Sequence, residues 1–209
     1  MFMDVVGFTS MADRVPARQV MLFLNQLFGG LDDLLGTHDV HKIETAGDCY
    51  IVSAGVVDAA RKHRDSNNTI ARFGRITSTH DSFCSAAHVI RFSLAAVRHA
   101  ASVMRPHNGS PTSVRIGVHT GSVVSGLIGR TLPKFGLFGD TMNVASRMEQ
   151  TAPNGAIQIS TQTYDVLSSH PDGADLVGLF HPTDGVNIKG KGTMRTWVTR
   201  APEKTDRIE

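Results

Sequence analysis

A helical apolar repeat begins soon after a short strand-like run at the amino end of the chain. The run MFMDVV is apolar apart from a single aspartate, and Pro16 suits the start of a helix because its backbone angle is already helical. Apolar residues then recur at alternating steps of four and three, which is the period of one helix face: Val20, Leu24, Leu27, Leu31 and Leu34. The pattern predicts a strand followed by one long amphipathic helix.

Two β-compatible runs follow this helix. They extend from His41 to Ala46 and from Cys49 to Ala54, and only Gly47 and Asp48 separate them. A glycine-aspartate pair suits a tight turn. The spacing therefore predicts a β-hairpin with Asp48 at its tip.

The middle of the chain combines a polar stretch with a second helical pattern. Residues 64–82 are polar and lack a clear period, which predicts a surface loop or insertion. The alanine-rich run from Cys84 to Met104 predicts a helix with one buried face. The sequence RPHNGSP then ends that helix.

The carboxyl half returns to short strands and helices. SVRIGVH, SVVSGLIG and AIQIS are typical of strands, and GDTMNVASRMEQTA is typical of a helix that begins at Gly139 and Asp140. A short helix capped by Thr161 and a terminal hairpin in VNIKGKGTMRTWVTRA complete the order. We therefore predict one domain over residues 1–209 with an α+β fold: a ferredoxin-like split βαβ core, a mostly antiparallel sheet, and helices on one face.

Composition excludes some classes of function. Twenty-one basic and nineteen acidic residues leave a formal charge of +2, too little for the broad basic field of a nucleic-acid binder. No apolar run approaches the roughly 20 residues that cross a bilayer. Only two cysteines, Cys49 and Cys84, are present, which favours a reducing, cytoplasmic setting for the domain. A strand at the very start suggests a domain cut from a longer protein with regulatory domains elsewhere.

Two aspartates lie at predicted strand ends. Asp4 precedes the turn Gly7-Phe8-Thr9, whose backbone N–H groups can face a phosphate, and Asp48 lies at the hairpin tip. Two neighbouring carboxylates suit hard cations that bridge a triphosphate, because magnesium prefers a few carboxylates together with phosphate oxygens. Considered singly, each aspartate is better explained by ordinary turn chemistry, so the prediction of a cation site rests on the combination.

Five segments in order give the sequence a family resemblance. MDVVGFTS, KIETAGDCY, VRIGVHTG, FGLFGDTMNVASR and NIKGKG resemble the motifs of class III adenylyl and guanylyl cyclases and span nearly the whole chain apart from 64–82. The resemblance implies a head-to-tail dimer with active sites in the cleft between subunits. It also implies that Asp4 and Asp48 hold two divalent cations, Mg²⁺ or Mn²⁺, for attack of the ribose 3′-hydroxyl on the α-phosphate.

The same resemblance assigns roles to several other residues. Asn143 and Arg147 lie at i and i+4 of the predicted helix and share one face, where they match the pair that orients the ribose and stabilises charge on the α-phosphate. An exposed helical arginine is the alternative. Further groups match phosphate contacts: the backbone of Val5, Gly7, Phe8 and Thr9, and the side chains of Arg115 and Lys189. The Lys-Gly-Lys-Gly stretch is also explained by a solvated basic turn.

Two positions bear on the choice of base. Guanine offers N1–H and an amine as donors, so a carboxylate reads guanine and a lysine reads adenine. Glu44 occupies the position where the family's guanylyl members usually carry glutamate, which points to GTP as the substrate. Gly136 occupies the second position, where guanylyl members usually carry cysteine, and this departure weakens the expected selectivity.

The sequence leaves three alternatives to a guanylyl cyclase. They are an adenylyl cyclase that forms cyclic AMP, a cyclase homology domain that binds nucleotide or a partner without turnover, and a structural α+β interaction domain. The joint presence of the metal aspartates and the Asn143–Arg147 pair argues against a cyclase homology domain without turnover. Because one chain carries both halves of a site, we expect a homodimer to suffice for activity, with a heterodimer as the alternative.

Overall fold

The structure, a computed structural model, describes residues 1–56, 79–129, 131, 134–188 and 192–200. Its strands are β1 (Phe2–Val5), β2 (His41–Ala46), β3 (Cys49–Ser53), β4 (Val114–Val118), β5 (Val124–Ile128), β6 (Lys134–Phe138), β7 (Ile157–Ser160), β8 (Phe180–Pro182), β9 (Val186–Ile188), β10 (Gly192–Met194) and β11 (Thr196–Thr199). Its helices are α1 (Phe8–Ala12), α2 (Ala17–Leu35), α3 (Thr79–Ser102), α4 (Asp140–Thr151), α5 (Thr161–Ser168) and α6 (Ala174–Val177), with a 3₁₀ turn at Pro171–Gly173.

Seven strands form the central sheet in the order β2-β3-β1-β4-β7-β11-β8. The β4–β7 pair is parallel, and the other pairs are antiparallel. The hairpins β5–β6 and β9–β10 are separate two-stranded sheets. This arrangement confirms the predicted α+β fold with a mostly antiparallel sheet.

The two faces of the central sheet are covered by different helices. On one face, which we call the helix face, Met3, Tyr50 and Ile116 are buried in the main core with residues of α2, α3 and α5. On the opposite face, which we call the cleft face, α4 lies so close that a Cβ added to Gly117 would be 1.9 Å from the backbone nitrogen of Glu149. The expectation that the helices cover one face is therefore wrong for α4, because Gly117 removes the side chain that would keep a helix away.

The predicted helices and hairpin of the amino half are found with shifted ends. The helix α2 and the β2–β3 hairpin match their predictions. Helix α3 begins at Thr79, so residues 79–82 are helical and the predicted loop is wrong at its end, whereas 64–78 of that loop lie outside the described residues. Burial of Phe83, whose ring stacks on His170 at 3.9 Å, extends the packed face of the helix toward its start.

The carboxyl half brings three corrections. The cap of α5 is Ser160 and not Thr161, because the Ser160 hydroxyl accepts from the Thr163 N–H at 3.3 Å. Strand β6 was not expected from the sequence. The terminal hairpin is present as β9–β10, but the following strand β11 pairs with β7 and β8 in the central sheet. Across the described ranges, no helix combines the length and apolar character that crossing a membrane requires.

Candidate active site

Asp4 and Asp48 come together at the end of β1. Asp4 lies on the cleft face, and the carboxyl group of Asp48, from the β2–β3 turn, is within hydrogen-bonding contact of it. The backbone N–H of Val5 donates to Asp48. Burial, followed by the negative charge of Asp4, raises the pKa of Asp48 to about 6. Two carboxylates therefore share a site in which a proton or a cation is needed to balance their charge.

Arg115 and Glu149 extend this carboxylate cluster. Arg115 is the cross-strand neighbour of Asp4, and its Nη2 donates to Asp4 Oδ2 at 2.8 Å. The same nitrogen lies 3.2 Å from Oε1 of Glu149, which is an ion pair by distance although that buried oxygen accepts no hydrogen bond. Burial and the charge of Asp4 raise the pKa of Glu149 to about 7, against the opposing effect of Arg115. The predicted contact of Arg115 with a triphosphate stays a prediction, and it would require this guanidinium to exchange partners.

The Asp4–Asp48 pair suits a hard divalent cation. Its donors are carboxylate oxygens, and burial followed by the charge of Asp4 raises the pKa of Asp48, so a cation close to the pair would favour the ionised form. Among the described residues, no group of three or more His, Cys, Asp or Glu side chains is arranged to hold a metal ion. Magnesium does not need such a group, since it is commonly bound by one or two carboxylates together with substrate phosphates.

The turn between β1 and α1 offers backbone donors beside the two aspartates. Gly7 has a φ of +70°, a left-handed conformation that favours glycine, and it caps α1. The N–H groups of Phe8 and Thr9 belong to the first helical turn and have no partner within the helix. Gly7 and Thr9 are exposed, whereas Phe8 is half-buried. The turn thus carries N–H groups without an intrahelical partner, which is the kind of group that binds phosphate.

Arg105 supports this turn from behind. Its Nη2 donates to the Val6 carbonyl at 2.8 Å, and the Val6 N–H donates to the Ser113 carbonyl at 3.0 Å. Burial lowers the pKa of Arg105, and its Nε is buried without a hydrogen-bond partner among the described residues. The back of the turn is therefore fixed by protein contacts.

Asn143 and Arg147 lie on the outer face of α4. Both are exposed, while Val144, Ala145, Met148 and Glu149 are buried against the sheet or the β9–β10 hairpin. Arg147 Nη1 donates to Gln150 Oε1 at 2.7 Å. Within the described part of the chain, no hydrogen bond or ion pair joins Asn143 or Arg147 to the two aspartates. The chain therefore presents two separate groups of predicted site residues.

The two predicted base-reading positions lie on neighbouring elements. Glu44 is exposed on β2, and Gly136 is half-buried on β6, which lies beside β2. A Cβ added to Gly136 would be 2.7 Å from Cζ of Phe138, so the Phe138 ring fills the space of a side chain there. The predicted phosphate-binding Lys189 lies outside the described residues.

Comparison with known proteins places the chain in a family. Residues 1–201 match the family described as the adenylate and guanylate cyclase catalytic domain. The chain belongs to this family. Guanylate cyclase soluble subunit beta-2 of Rattus norvegicus is 32% identical over 197 residues, which make up 94% of this chain and 25% of the relative. Retinal guanylyl cyclase 2 of the same species is 36% identical over 197 residues, 94% of this chain and 16% of the relative.

A solved structure agrees with the fold of this cyclase domain. The guanylate cyclase domain of RhGC from Catenaria anguillulae, in complex with GTP, has 28% sequence identity and a TM-score of 0.72. The match covers 96% of this chain and 93% of that one. The match thus extends over nearly all of that solved domain, whereas the chain spans a quarter or less of the two longer relatives.

Two residues of the cyclase domain's candidate site were missed in the sequence. Glu149 lies four residues after Ala145 on the buried stripe of α4, and a carboxylate on an apolar stripe was the available signal. Arg105 carried no such signal, because it lies in the irregular segment after α3 and its contact with Val6 spans 99 positions of the chain. Only the fold brings it to the β1–α1 turn.

Proposed function

We propose that this domain is a guanylyl cyclase that converts GTP to 3′,5′-cyclic GMP and pyrophosphate. The observation that carries the proposal is the Asp4–Asp48 pair beside the β1–α1 turn, with Glu44 on the same face of the sheet. Glu44 shares that face because it pairs with Ile51, which also pairs with Phe2, and Phe2 precedes Asp4 by two residues. Carboxylates for cations and a carboxylate for guanine thus lie on one surface.

In this proposal Asp4 and Asp48 hold two divalent cations, Mg²⁺ or Mn²⁺. When bound, such ions lower the pKa of the ribose 3′-hydroxyl and neutralise charge on the phosphates. The bond that forms joins the 3′-oxygen to the α-phosphorus, the bond that breaks releases pyrophosphate, and the hydroxyl proton passes to solvent. The backbone of Val5 to Thr9 binds phosphate oxygens, and Lys189 contributes a positive charge to the leaving group.

Two copies of the domain are needed for a complete site. Asn143 and Arg147 point away from the Asp4–Asp48 pair within one chain, so a second copy must supply them to the ribose and the α-phosphate. Large apolar side chains on the β5–β6 hairpin are exposed, which supports an interface there: Val124, Leu127, Ile128, Phe135 and Phe138. A head-to-tail homodimer would form two equivalent sites, because each chain carries both halves.

Glu44 carries the preference for GTP in this proposal. Its carboxylate accepts hydrogen bonds from the N1–H and amine of guanine, whereas adenine leaves it unpaired. Gly136 contributes no side chain to the base, so the preference rests mainly on Glu44. Gly136 lowers the expected selectivity for GTP without adding a contact to adenine, and adenylyl cyclase activity is the second candidate.

Residues 1–209 form one catalytic domain in this proposal, and its regulation comes from other parts of a longer protein. Both longer relatives match this chain over only 25% and 16% of their own length. The domain itself would act in the cytoplasm, where GTP is available.

The test is cyclic nucleotide production by the purified domain with manganese and either GTP or ATP. We expect cyclic GMP as the main product, its loss in Asp48→Ala, and a lower preference for GTP in Glu44→Lys. Asp39→Asn serves as a matched acidic control, because Asp39 lies before β2 and pairs with His88 at 3.4 Å, away from the cleft face. Preferential formation of cyclic AMP would favour an adenylyl cyclase over a guanylyl cyclase. No product at high protein concentration would favour a non-catalytic nucleotide-binding domain.

A further inference from the structure

Strand β2 contains a β-bulge next to the predicted base-reading residue. Lys42 pairs with Val52 and Glu44 pairs with Ile51, so Ile43 is an extra residue without a partner on β3. Side chains alternate between the two faces of a regular strand, and residues two apart share a face. The bulge breaks this rule, and it places Lys42 and Glu44 on opposite faces of the sheet.

The pairing partners show which face each side chain takes. Val52, opposite Lys42, belongs to the core on the helix face, where Tyr50 also lies. Ile51, opposite Glu44, lies on the cleft face together with Asp4. Lys42 is therefore turned away from the surface where we place the purine base.

An ion-pair cluster holds Lys42 on the helix face. Its Nζ donates to both carboxylate oxygens of Asp32 on α2, each at 2.9 Å, and lies 4.9 Å from the centre of the Tyr50 ring. The Tyr50 hydroxyl donates to Asp32 Oδ1. Tyr50 is fully buried and packs against Phe28 at 5.3 Å, so the position of Asp32 is fixed by the core.

The loss of this anchor would have a definite consequence. The Gly47–Asp48 turn fixes the pairing of Glu44, Thr45 and Ala46 with β3. If Lys42 were released, the same register could extend through Ile43, and Lys42 would then join Glu44 on the cleft face. Lys42 and Glu44 would then be two residues apart on one face of the strand, and the ammonium group could pair with the Glu44 carboxylate and compete with guanine.

We propose that Asp32, supported by Tyr50, is a specificity-positioning residue that keeps Lys42 out of the base pocket and leaves the Glu44 carboxylate free to read guanine. The inference rests on the proposed function of Glu44. The Lys42–Asp32 pair is partly exposed, with side-chain exposures of 32% and 44%. Such pairs contribute little to stability, so a change in selectivity can be measured without a large loss of folded protein.

The experiment compares kcat/KM for GTP and ATP, with manganese, in a double-mutant cycle of Asp32→Ala and Lys42→Met. We expect Asp32→Ala to lower the GTP/ATP ratio about tenfold, mainly through a higher KM for GTP, because the carboxylate becomes engaged. Lys42→Met alone keeps the ratio within about twofold of the parent, and the double variant recovers to a similar value, since the competing charge is gone. Asp32→Asn keeps an acceptor for Tyr50 and should shift the ratio in the same direction. It replaces Asp32→Ala in the experiment if that variant folds poorly.

Two further variants separate the possible outcomes. Asp33→Ala is the matched control, because Asp33 follows Asp32 on α2, is exposed, and makes no hydrogen bond or ion pair with the described residues. The role of Asp32 is overturned if the GTP/ATP ratio is unchanged in both Asp32 variants, or if the double variant is as unselective as Asp32→Ala. In either case, a lowered ratio in Glu44→Ala would still support the proposed function. If Glu44→Ala itself leaves the ratio unchanged, guanine reading by Glu44 and the role of Asp32 are overturned together.

Discussion

Arg115 forms an ion pair with Asp4, its cross-strand neighbour, at 2.8 Å, and so binds one of the two carboxylates that we assign to the cations. Glu149 lies 3.2 Å from the same guanidinium nitrogen. One guanidinium therefore contacts two carboxylates, and Asp48 contacts the first of them, Asp4. This arrangement holds Asp4 in place before any cation binds, and it leaves a negative balance that a cation can neutralise.

Replacing Arg115 should lower the stability of the domain, because its positive charge offsets the nearby carboxylates. In Arg115→Met, we expect the free energy of unfolding without metal to fall by about 1–3 kcal/mol, because the carboxylates lose their only close positive partner among the described residues. Manganese should raise the free energy of unfolding by more in Arg115→Met than in the parent. Denaturant unfolding with and without manganese measures both effects. Arg147→Met is the control, since that exposed arginine makes only a local contact, and equal stability of Arg115→Met and the parent would contradict the prediction.

The sequence was sufficient where structure depends on neighbours in the chain. The β2–β3 turn follows from the adjacent Gly47 and Asp48, and α2 follows from its own apolar period. The bulge at Ile43 was not predictable, because no local pattern marks it and the partner of the neighbouring Lys42 is Asp32 on α2. The start of α3 likewise depends on contacts of Phe83 with a distant ring.

The residues of the candidate site also differ in whether local sequence or distant contacts determine their position. The Asp4–Asp48 pair was predicted because each aspartate ends a strand, and the fold brings the two strands together as expected. The cluster around them was not, since Glu149 approaches only because α4 packs on the bare backbone of Gly117. A close approach between elements of different sequence regions leaves no local pattern.

The metal-free domain should become less stable as pH rises from weakly acidic to neutral. The pKa values of Asp48 and Glu149 are about 6 and about 7, above those of ordinary carboxyl groups, so the folded state retains protons that the unfolded state has already lost. Their contribution is greatest below the unfolded pKa of roughly 4 and is lost as pH rises through the folded values, with a slope of up to about 1.4 kcal/mol per pH unit for each proton. Urea unfolding at several pH values in the presence of a chelator measures this slope.

Asp48→Asn provides the comparison for the pH dependence. It removes one titrating group and also a charge that, after burial and Asp4, contributes to the raised pKa of Glu149, so the slope should be shallower than in the parent. Manganese should oppose the trend in the parent, because a cation binds the ionised pair and competes with the proton. If the slope of stability against pH were the same in the parent and in Asp48→Asn, the raised pKa of Asp48 would be contradicted.

Mixing two inactive variants should restore activity if the site is shared between chains. Asp48→Ala removes a residue of the cation half, and Arg147→Ala removes a residue of the α4 half. In a head-to-tail dimer that contains one copy of each, one site loses both residues and the other keeps both. Equal mixing should therefore recover about one quarter of parental activity, because half of the dimers are mixed and each has one intact site of two.

The control for this mixing experiment is a chain that carries both substitutions. When mixed with either single variant, it forms no intact site and should recover no activity. Cyclic nucleotide formation after co-refolding or prolonged incubation measures the recovery. Absence of recovery in the mixture of single variants, when both remain folded and dimeric, would argue that each site lies within one chain.

A cysteine at position 136 should sharpen the preference for GTP at little cost in stability. The new Cβ would be 2.7 Å from Cζ of Phe138, a contact that requires the ring to move. The ring is 43% exposed, so it can swing toward solvent without opening a cavity. The thiol would then supply a weak donor to the guanine carbonyl, and we expect the GTP/ATP ratio of kcat/KM to rise by about two- to tenfold in Gly136→Cys. Gly136→Ala requires the same movement of Phe138 but offers no donor, so a similar rise in both variants would assign the effect to the ring and not to the thiol.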